Sequence, residues 1–478
     1  MNLARTDIRF VLPVPATTAA VLGTAPGWAA QLQQLGLAAD GARPELAITG
    51  SSRVATAVDA DAVIVTGDGR RAIRARGWHP TALLSLPDAE SPAVLVPYGQ
   101  PRAARYALGT WISPARRWKA ARNLGVAVAL AAGRRPPGTA IVTVGASEPG
   151  PPFMIGAAEA LGVPRDVEWF LVPGQGDALT RGVFFLLGAG AAHPSWVLKF
   201  SRSEGRADPF VRDAAGLDLA AQAGGSVAAH APRLLGRLQV AGFEASVETA
   251  APGRSLIATL TGSDSRRRKL EVVERIAAWT VALGRQTVGQ PSALAAERER
   301  LRTEVLPSWS ADPALLDGLD GLAPILQHND LGTWNIYTSR HDFSVLDWES
   351  ARERGLPLWD LLYFLADALA HVDGASSLLE RREEYVLRLF RGELPSSALL
   401  FAWVRRGAAA GGIPDEAVGR VALLGMLHHG RSWVQRGADV RAHDLDVGED
   451  PWLALLRRLA GHWLVDPALG AGWNRWRA

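Results

Sequence analysis

Hydrophobic and polar positions change their period along this chain, and the changes divide it. Short apolar runs at 19–23, 46–50, 62–66, 83–86 and 93–97 are bounded by Gly, Pro, Ser or Asp and read as strands. Segments 28–37, 101–111 and 115–132 carry helical spacing instead, so strand and helix alternate over residues 1–135 and predict a mostly parallel α/β layer. Arg-Arg-Pro-Pro-Gly-Thr at 134–139 then stops the last helix, because consecutive prolines and a glycine cannot continue it, and sets a first boundary at 135/136. Strand patterns return at 168–172, 182–187, 196–200 and 238–248, with a helical stretch at 210–222 among them. From 251 onward the spacing is mainly helical; 269–283, with apolar Leu270, Val273, Ile276, Ala277, Val281 and Leu283, is expected to be the central buried helix. Three domains follow: 1–135, 136–250 and 251–478.

The first of these is Rossmann-like in class. Its first turn, Val-Leu-Gly-Thr-Ala-Pro-Gly at 21–27, lacks the G-x-G-x-x-G fingerprint of a dinucleotide loop. The second strand ends in Gly50-Ser51-Ser52 where a methyltransferase would have an acidic residue. The domain therefore reads as a degenerate Rossmann-like unit without a cofactor, serving as scaffold, substrate presenter or docking site for a protein partner; a working methyltransferase front end is the rival.

The whole chain has 478 residues, 48% hydrophobic and 21% charged, as expected of a globular protein with a sizeable core. Net charge is only +3, and the one short basic run, Arg266 to Lys269, opens a helical pattern, so nucleic acid is not an expected partner. The absence of cysteine excludes disulfides, thiolate metal sites and a cysteine nucleophile. The most apolar run, 124–133, is too short to span a membrane, and the first ten residues lack a signal-peptide core, so a cytoplasmic enzyme is expected. Lysine occurs only at 119, 199 and 269. In so arginine-rich a chain, a lysine marks a position that wants a compact ammonium.

The densest chemistry lies at 326–349, L-Q-H-N-D-L-G-T-W-N-I-Y-T-S-R-H-D-F-S-V-L-D-W-E. Asp330 and Asn335 resemble in spacing the catalytic loop of protein kinases, H-x-D-x-x-x-x-N, whose acid is the base and whose asparagine is a metal ligand; Asp347 follows a short β-rich run, where that resemblance implies a second metal carboxylate. Turn-shaping and helix-capping duties are the plainer explanation of the same residues. Upstream, strand, glycine turn, strand and a strand carrying Lys199 resemble, in their order, the kinase-type lobe that covers ATP phosphates and sets an ammonium on them; Gly174 and Gly176 would let backbone approach phosphate oxygens.

Asp347-Trp348-Glu349, followed by Gly-Leu-Pro-Leu-Trp-Asp at 355–360, resembles the aminoglycoside phosphotransferase and choline kinase branch of the protein-kinase-like fold, over residues 168–370. That branch usually has His-Gly-Asp where this chain has His328-Asn329-Asp330. The resemblance implies a bilobal fold, with a small lobe at 136–250 and a large helical lobe at 251–478, binding ATP and Mg2+. It implies Asp330 as base with His328 supporting the loop, Asn335 and Asp347 on the metal, and Lys199 on phosphate. Asp213, or alternatively Asp218, would hold the lysine; backbone groups at Glu248 to Ala250 would meet adenine; Glu349 would stand near the metals; Asp360 would be architectural. The expected activity is phosphorylation of a hydroxyl on a small molecule such as a sugar, aminoglycoside or amino alcohol. A nucleotide-binding pseudokinase whose front end docks a partner is the alternative. His428-His429 is expected to line the core or the acceptor pocket, since adjacent helical histidines point apart and make a poor metal pair.

Overall fold

In the computed structural model the described residues are 8–22, 43–86, 92–112, 117–134, 136, 139–174, 180–375, 379–442 and 451–477. The chain forms two compact units: Met1–Phe210 with Arg233–Pro252, and Val211–Pro232 with Gly253–Ala478. It is a mixed α/β protein with one large mixed sheet and many helices.

The first unit is built on a single eleven-stranded sheet. Its strands are β1 (Ala19–Leu22), β2 (Leu46–Thr49), β3 (Ala62–Val65), β4 (His79–Leu86), β5 (Val94–Pro97), β6 (Ala140–Ala146), β7 (Glu168–Val172), β8 (Gly182–Leu187), β9 (Trp196–Phe200), β10 (Leu234–Val240) and β11 (Phe243–Thr249). They lie in the order β1-β2-β3-β6-β4-β5-β7-β8-β9-β11-β10. Only β1–β2 and β2–β3 are parallel; the remaining pairs are antiparallel. The expected mostly parallel, Rossmann-like layer is thus corrected to a mixed sheet. The reason is local: residues 87–93 join β4 to β5 and are too few for the crossover that parallel neighbours require. The boundary expected at 135/136 falls inside this sheet, because β6 sits between β3 and β4 and β5 pairs with β7.

Alternation along the strands covers both faces. Trp169, Leu171, Phe184, Leu186, Leu198 and Phe200 pack into a core with Phe10, Phe153 and Phe243, where the Phe10 and Phe200 rings lie 4.3 Å apart. Phe170 and Phe185 point the other way and stack at 4.6 Å, beneath residues of α3 (Pro101–Tyr106) and α4 (Arg117–Ala131), which follow the short helices α1 (Ser52–Ala57) and α2 (Arg70–Ala75). The segment 238–248, expected as strand material, is a hairpin: Ala241 and Gly242 both have positive φ, 49° and 82°, the backbone of a two-residue turn matched to strand twist. The expected helix 28–37 and the turn glycines Gly23 and Gly27 lie outside the described residues.

After α5 (Phe153–Ala157) the helices are α6 (Asp208–Ala223), α7 (Gly225–His230), α8 (Leu256–Thr261), α9 (Arg266–Gln286), α10 (Ala295–Arg300), α11 (Trp359–Val372), α12 (Leu379–Arg391), α13 (Ser397–Ala410), α14 (Asp415–Ala442) and α15 (Pro451–Val465). Two small sheets accompany them in the second unit, β12 (Arg254–Ser255) with β14 (Ile336–Thr338) and β15 (Phe343–Val345), and β13 (Ile325–Gln327) with β16 (Arg352–Gly355). The enclosed helix is α11, with every residue from Trp359 to His371 buried. The expectation of α9 in that place is corrected: α9 buries one face, through Val273, Ile276, Ala277, Trp279, Thr280 and Leu283, and is charged elsewhere. The helix's own residues are mostly apolar on every face, with Asp360, Asp367 and His371 as its ionisable members besides Tyr363. Among the described residues no helix is long and apolar enough to cross a membrane.

Candidate active site

In the second unit the acid-bearing loop runs between β13 and β14, and the β14–β15 hairpin fixes its far end. Ile336 pairs with Val345, and the amide of Leu346 donates to the carbonyl of Asn335 at 2.7 Å. Residues twelve apart in sequence, Asn335 and Asp347, are therefore brought to one end of one hairpin. The Asn335 side-chain amide donates to both the carbonyl and Oδ2 of Asp330, each at 2.9 Å. With its nitrogen so used, the amide oxygen is the group left to face a cation.

His328 joins the two halves. Its Nε2 lies 2.8 Å from the carbonyl of Leu346 and its Nδ1 accepts from the amide of Asp330 at 3.3 Å. The carbonyl requires the proton on Nε2, leaving Nδ1 as acceptor. Its ring also meets Trp348 edge-on at 4.8 Å. His328 accordingly holds geometry; neither nitrogen is turned over to proton transfer.

Asn329, where the resembling branch has glycine, has φ 66°. Glycine adopts that left-handed backbone without strain and asparagine tolerates it better than most residues, so the substitution keeps the turn. The amides of His328 and Asn329 donate to the two oxygens of Asp360, at 2.6 and 2.8 Å. Burial of Asp360 outweighs these two donors and pushes its carboxyl up to about 6.

Asp330 itself keeps partial solvent access. The packing around its carboxyl, and next the charge of Asp347, with a smaller push from Glu349, raise it to about 8 against the hydrogen bonds from Asn335 and Trp334. The charges of Asp347 and Glu349 thus both bear on the Asp330 carboxyl. Two residues beside Asp330 were not singled out from sequence: Trp334, which hydrogen-bonds it, and Tyr363, whose hydroxyl lies 3.5 Å from Asp330 Oδ1. The two rings stand perpendicular at 6.1 Å. Trp334 lies four residues beyond the acid, which was the available signal; Tyr363 comes from α11 and left none.

Asp347 also has positive φ, 62°. The next amide, Trp348 N, donates to Asp213 Oδ1 at 3.1 Å, and α6 approaches so closely that a Cβ on Gly216 would stand 2.0 Å from the Trp348 carbonyl oxygen. Asp213, expected as the partner of Lys199, here fastens the turn after Asp347.

In the first unit Lys199 is buried on β9 and its Nζ lies 3.0 Å from Glu248 Oε1. Lys199 pairs across the ladder with Ser246, and Glu248 follows two residues on, so all three share the face opposite Phe200. Glu248 was expected to work through its backbone at a hinge; its side chain is what meets the lysine. The expectation for Ala250 is also narrowed: its amide already donates to the Ser195 carbonyl at 3.0 Å, so adenine would find there only a carbonyl. Gly174 has φ 90°, and a Cβ on it would stand 2.9 Å from the Arg181 carbonyl oxygen, so no other residue fits this end of the turn. Gly176 lies outside the described residues.

His428 and His429 are both buried on α14, stacked on Trp359 at 5.0 Å and on Tyr363 at 4.2 Å. Burial lowers both, His429 to about 4, so they are neutral packing rings. Among the described residues no three His, Asp or Glu side chains gather closely enough to hold a metal alone.

No family model matches the chain, and no curated protein matches it. Among solved structures it is similar to a glucosamine kinase in complex with glucosamine, ADP and inorganic phosphate, at 16% identity and a TM-score of 0.33, covering 65% of this chain and 85% of that one. A second glucosamine kinase structure, crystal form B, gives 18% identity, a TM-score of 0.30, and 66% and 83% coverage. Superposition at that level carries no argument about fold or chemistry.

Proposed function

We propose that the protein is an ATP- and magnesium-dependent phosphotransferase acting on a hydroxyl of a small molecule, of the sugar, aminoglycoside or amino-alcohol kind. The observation that carries this reading is the hairpin-built cluster of Asp330, Asn335 and Asp347, with its mutual carboxylate repulsion. Turn-shaping alone would not call for two further acids pressing on Asp330 beside an amide whose nitrogen is already used.

Asp330 would take the acceptor's proton as its oxygen attacks, with Asn335 and Trp334 orienting the carboxylate. Asn335 and Asp347 would hold magnesium; two protein oxygens suit an ion that keeps waters and binds phosphates for its remaining positions. When bound, the ion supplies neutralisation of phosphate charge. Lys199, kept in place by Glu248, would add an ammonium, and the turn at Gly174 and Gly176 would cover the phosphates. Trp334 and Tyr363 offer ring surfaces beside the base to the acceptor.

The alternative, a nucleotide-binding pseudokinase, would draw on the departure at Asn329 and on aspartate rather than glutamate at Asp213. Asn329 occupies a backbone geometry open to it, and Asp213 makes a defined bond beside Asp347, so no specific observation favours that alternative. The test is incubation with Mg2+, ATP and a metabolite pool, read by mass spectrometry for phosphorylated products, with Asp347→Ala as control. Magnesium-dependent product from the wild type alone supports the reading; nucleotide binding with no product from any pool contradicts it.

A further inference from the structure

The enclosed helix α11 carries a second buried carboxylate, for which the proposed reaction gives no role so far. Asp367 is buried, and its Oδ2 accepts from both the amide and the hydroxyl of Thr333, at 2.7 and 2.6 Å. Thr333 lies between Asp330 and Asn335. Arg382, buried on α12, forms an ion pair with Asp367, and His371 Nε2 stands 3.7 Å from Asp367 Oδ1.

We propose that Asp367 is a positioning residue, acting through Thr333 to hold the spacing between Asp330 and Asn335; this rests on the phosphotransfer reading. Asp360 and Asp367 are seven residues apart, two helical turns, and so share one face of α11. Each takes two donors from the loop: Asp360 the amides before Asp330, Asp367 both donors of the residue midway to Asn335. The base is therefore strung between two anchors on one rigid rod. Asn335 then closes the loop back onto Asp330.

The choice of a charged anchor is informative. A buried carboxylate and guanidinium are costly to desolvate and add little net stability over an apolar pair of similar shape. What the pair supplies is a strong acceptor of fixed direction, with shorter bonds than a neutral amide gives. Thr333 meets it with two donors at once, which fixes the residue's rotation as well as its place. If Thr333 moves, the Asn335 amide leaves Asp330, and the base and metal residues lose their common geometry.

The experiment compares Thr333→Val, Thr333→Ala and Thr333→Ser in steady-state kinetics with the acceptor found by the screen, together with amide hydrogen exchange over 328–335 in wild type and Asp367→Asn. Losing the hydroxyl should lower kcat about 10–100-fold while the KM for ATP changes less than about threefold, and serine should restore kcat to within about threefold of wild type. Wild-type kcat in the folded Val or Ala variant, a loss confined to KM, or a serine variant as slow as valine overturns the proposal. If the wild type transfers no phosphoryl group, the phosphotransfer reading fails and the exchange arm decides. There, Thr333 amide exchange at least about tenfold faster in Asp367→Asn supports the anchor, and unchanged exchange overturns it.

Discussion

Asp330 is a carboxyl in a place that resists its charge. Its folded-state pKa, pushed up to about 8, exceeds that of a carboxyl in an unfolded chain. Between those two values the folded protein holds a proton that the unfolded chain releases. The contribution to stability is therefore most favourable at acid pH, falls as pH rises from about 4 to about 8, and is level beyond. Asp330→Asn should remove this dependence: the variant should be more stable than wild type at pH 8, by on the order of 1–3 kcal/mol, with the gap closing toward pH 4. Thermal unfolding across that range checks it, and a variant less stable at pH 8 would count against the repulsive cluster. Asn329 makes a second prediction. Its Oδ1 is buried with no hydrogen-bond partner among the described residues, and its φ is 66°. Asn329→Gly should stay within about 1 kcal/mol of wild type, while Asn329→Ala, strained at positive φ, should lose about 1–2 kcal/mol in denaturant titration.

At the scale of elements, the site depends on where α6 and α11 press. The Gly216 position on α6 tolerates no side chain, because the atom it would strike is the backbone oxygen of Trp348. Gly216→Ala should force α6 away, take Asp213 off the Trp348 amide and cost about 1–3 kcal/mol. Magnesium-dependent ATP binding should weaken with it in calorimetry; unchanged stability and binding would contradict the tight approach. These elements also explain what the sequence made legible. Asp330, Asn335 and Asp347 could be read because local spacing on a loop and hairpin carries them. The strands β7 to β9 could be read because short apolar runs end in turn residues. Thr333, Tyr363 and Asp367 stayed hidden because their roles depend on α11 crossing the loop, a tertiary fact with no local period. The pairing of Glu248 with Lys199 was hidden likewise, since it needs the β9–β11 register. The hairpin at Ala241-Gly242 was missed because alanine rarely adopts φ 49°.

At the scale of the molecule, the parallel start of the sheet suggested a separable front end, whereas β6 and β7 complete it from beyond residue 135. A fragment of residues 1–135 would leave β3 and β4 without the strand between them and β5 without β7. It should show little cooperative unfolding by circular dichroism; a sharp transition in that fragment would contradict the shared sheet. A methyltransferase test by calorimetry with S-adenosylmethionine consequently belongs on the whole chain. The most direct measurement is the rate of acceptor phosphorylation with Mg2+ and ATP in the full chain, wild type against Asp330→Ala. A magnesium-dependent product that falls by at least about 10²-fold in the variant is the predicted result. Equal rates in the two proteins, or no product from the wild type with any hydroxylated metabolite, would contradict it.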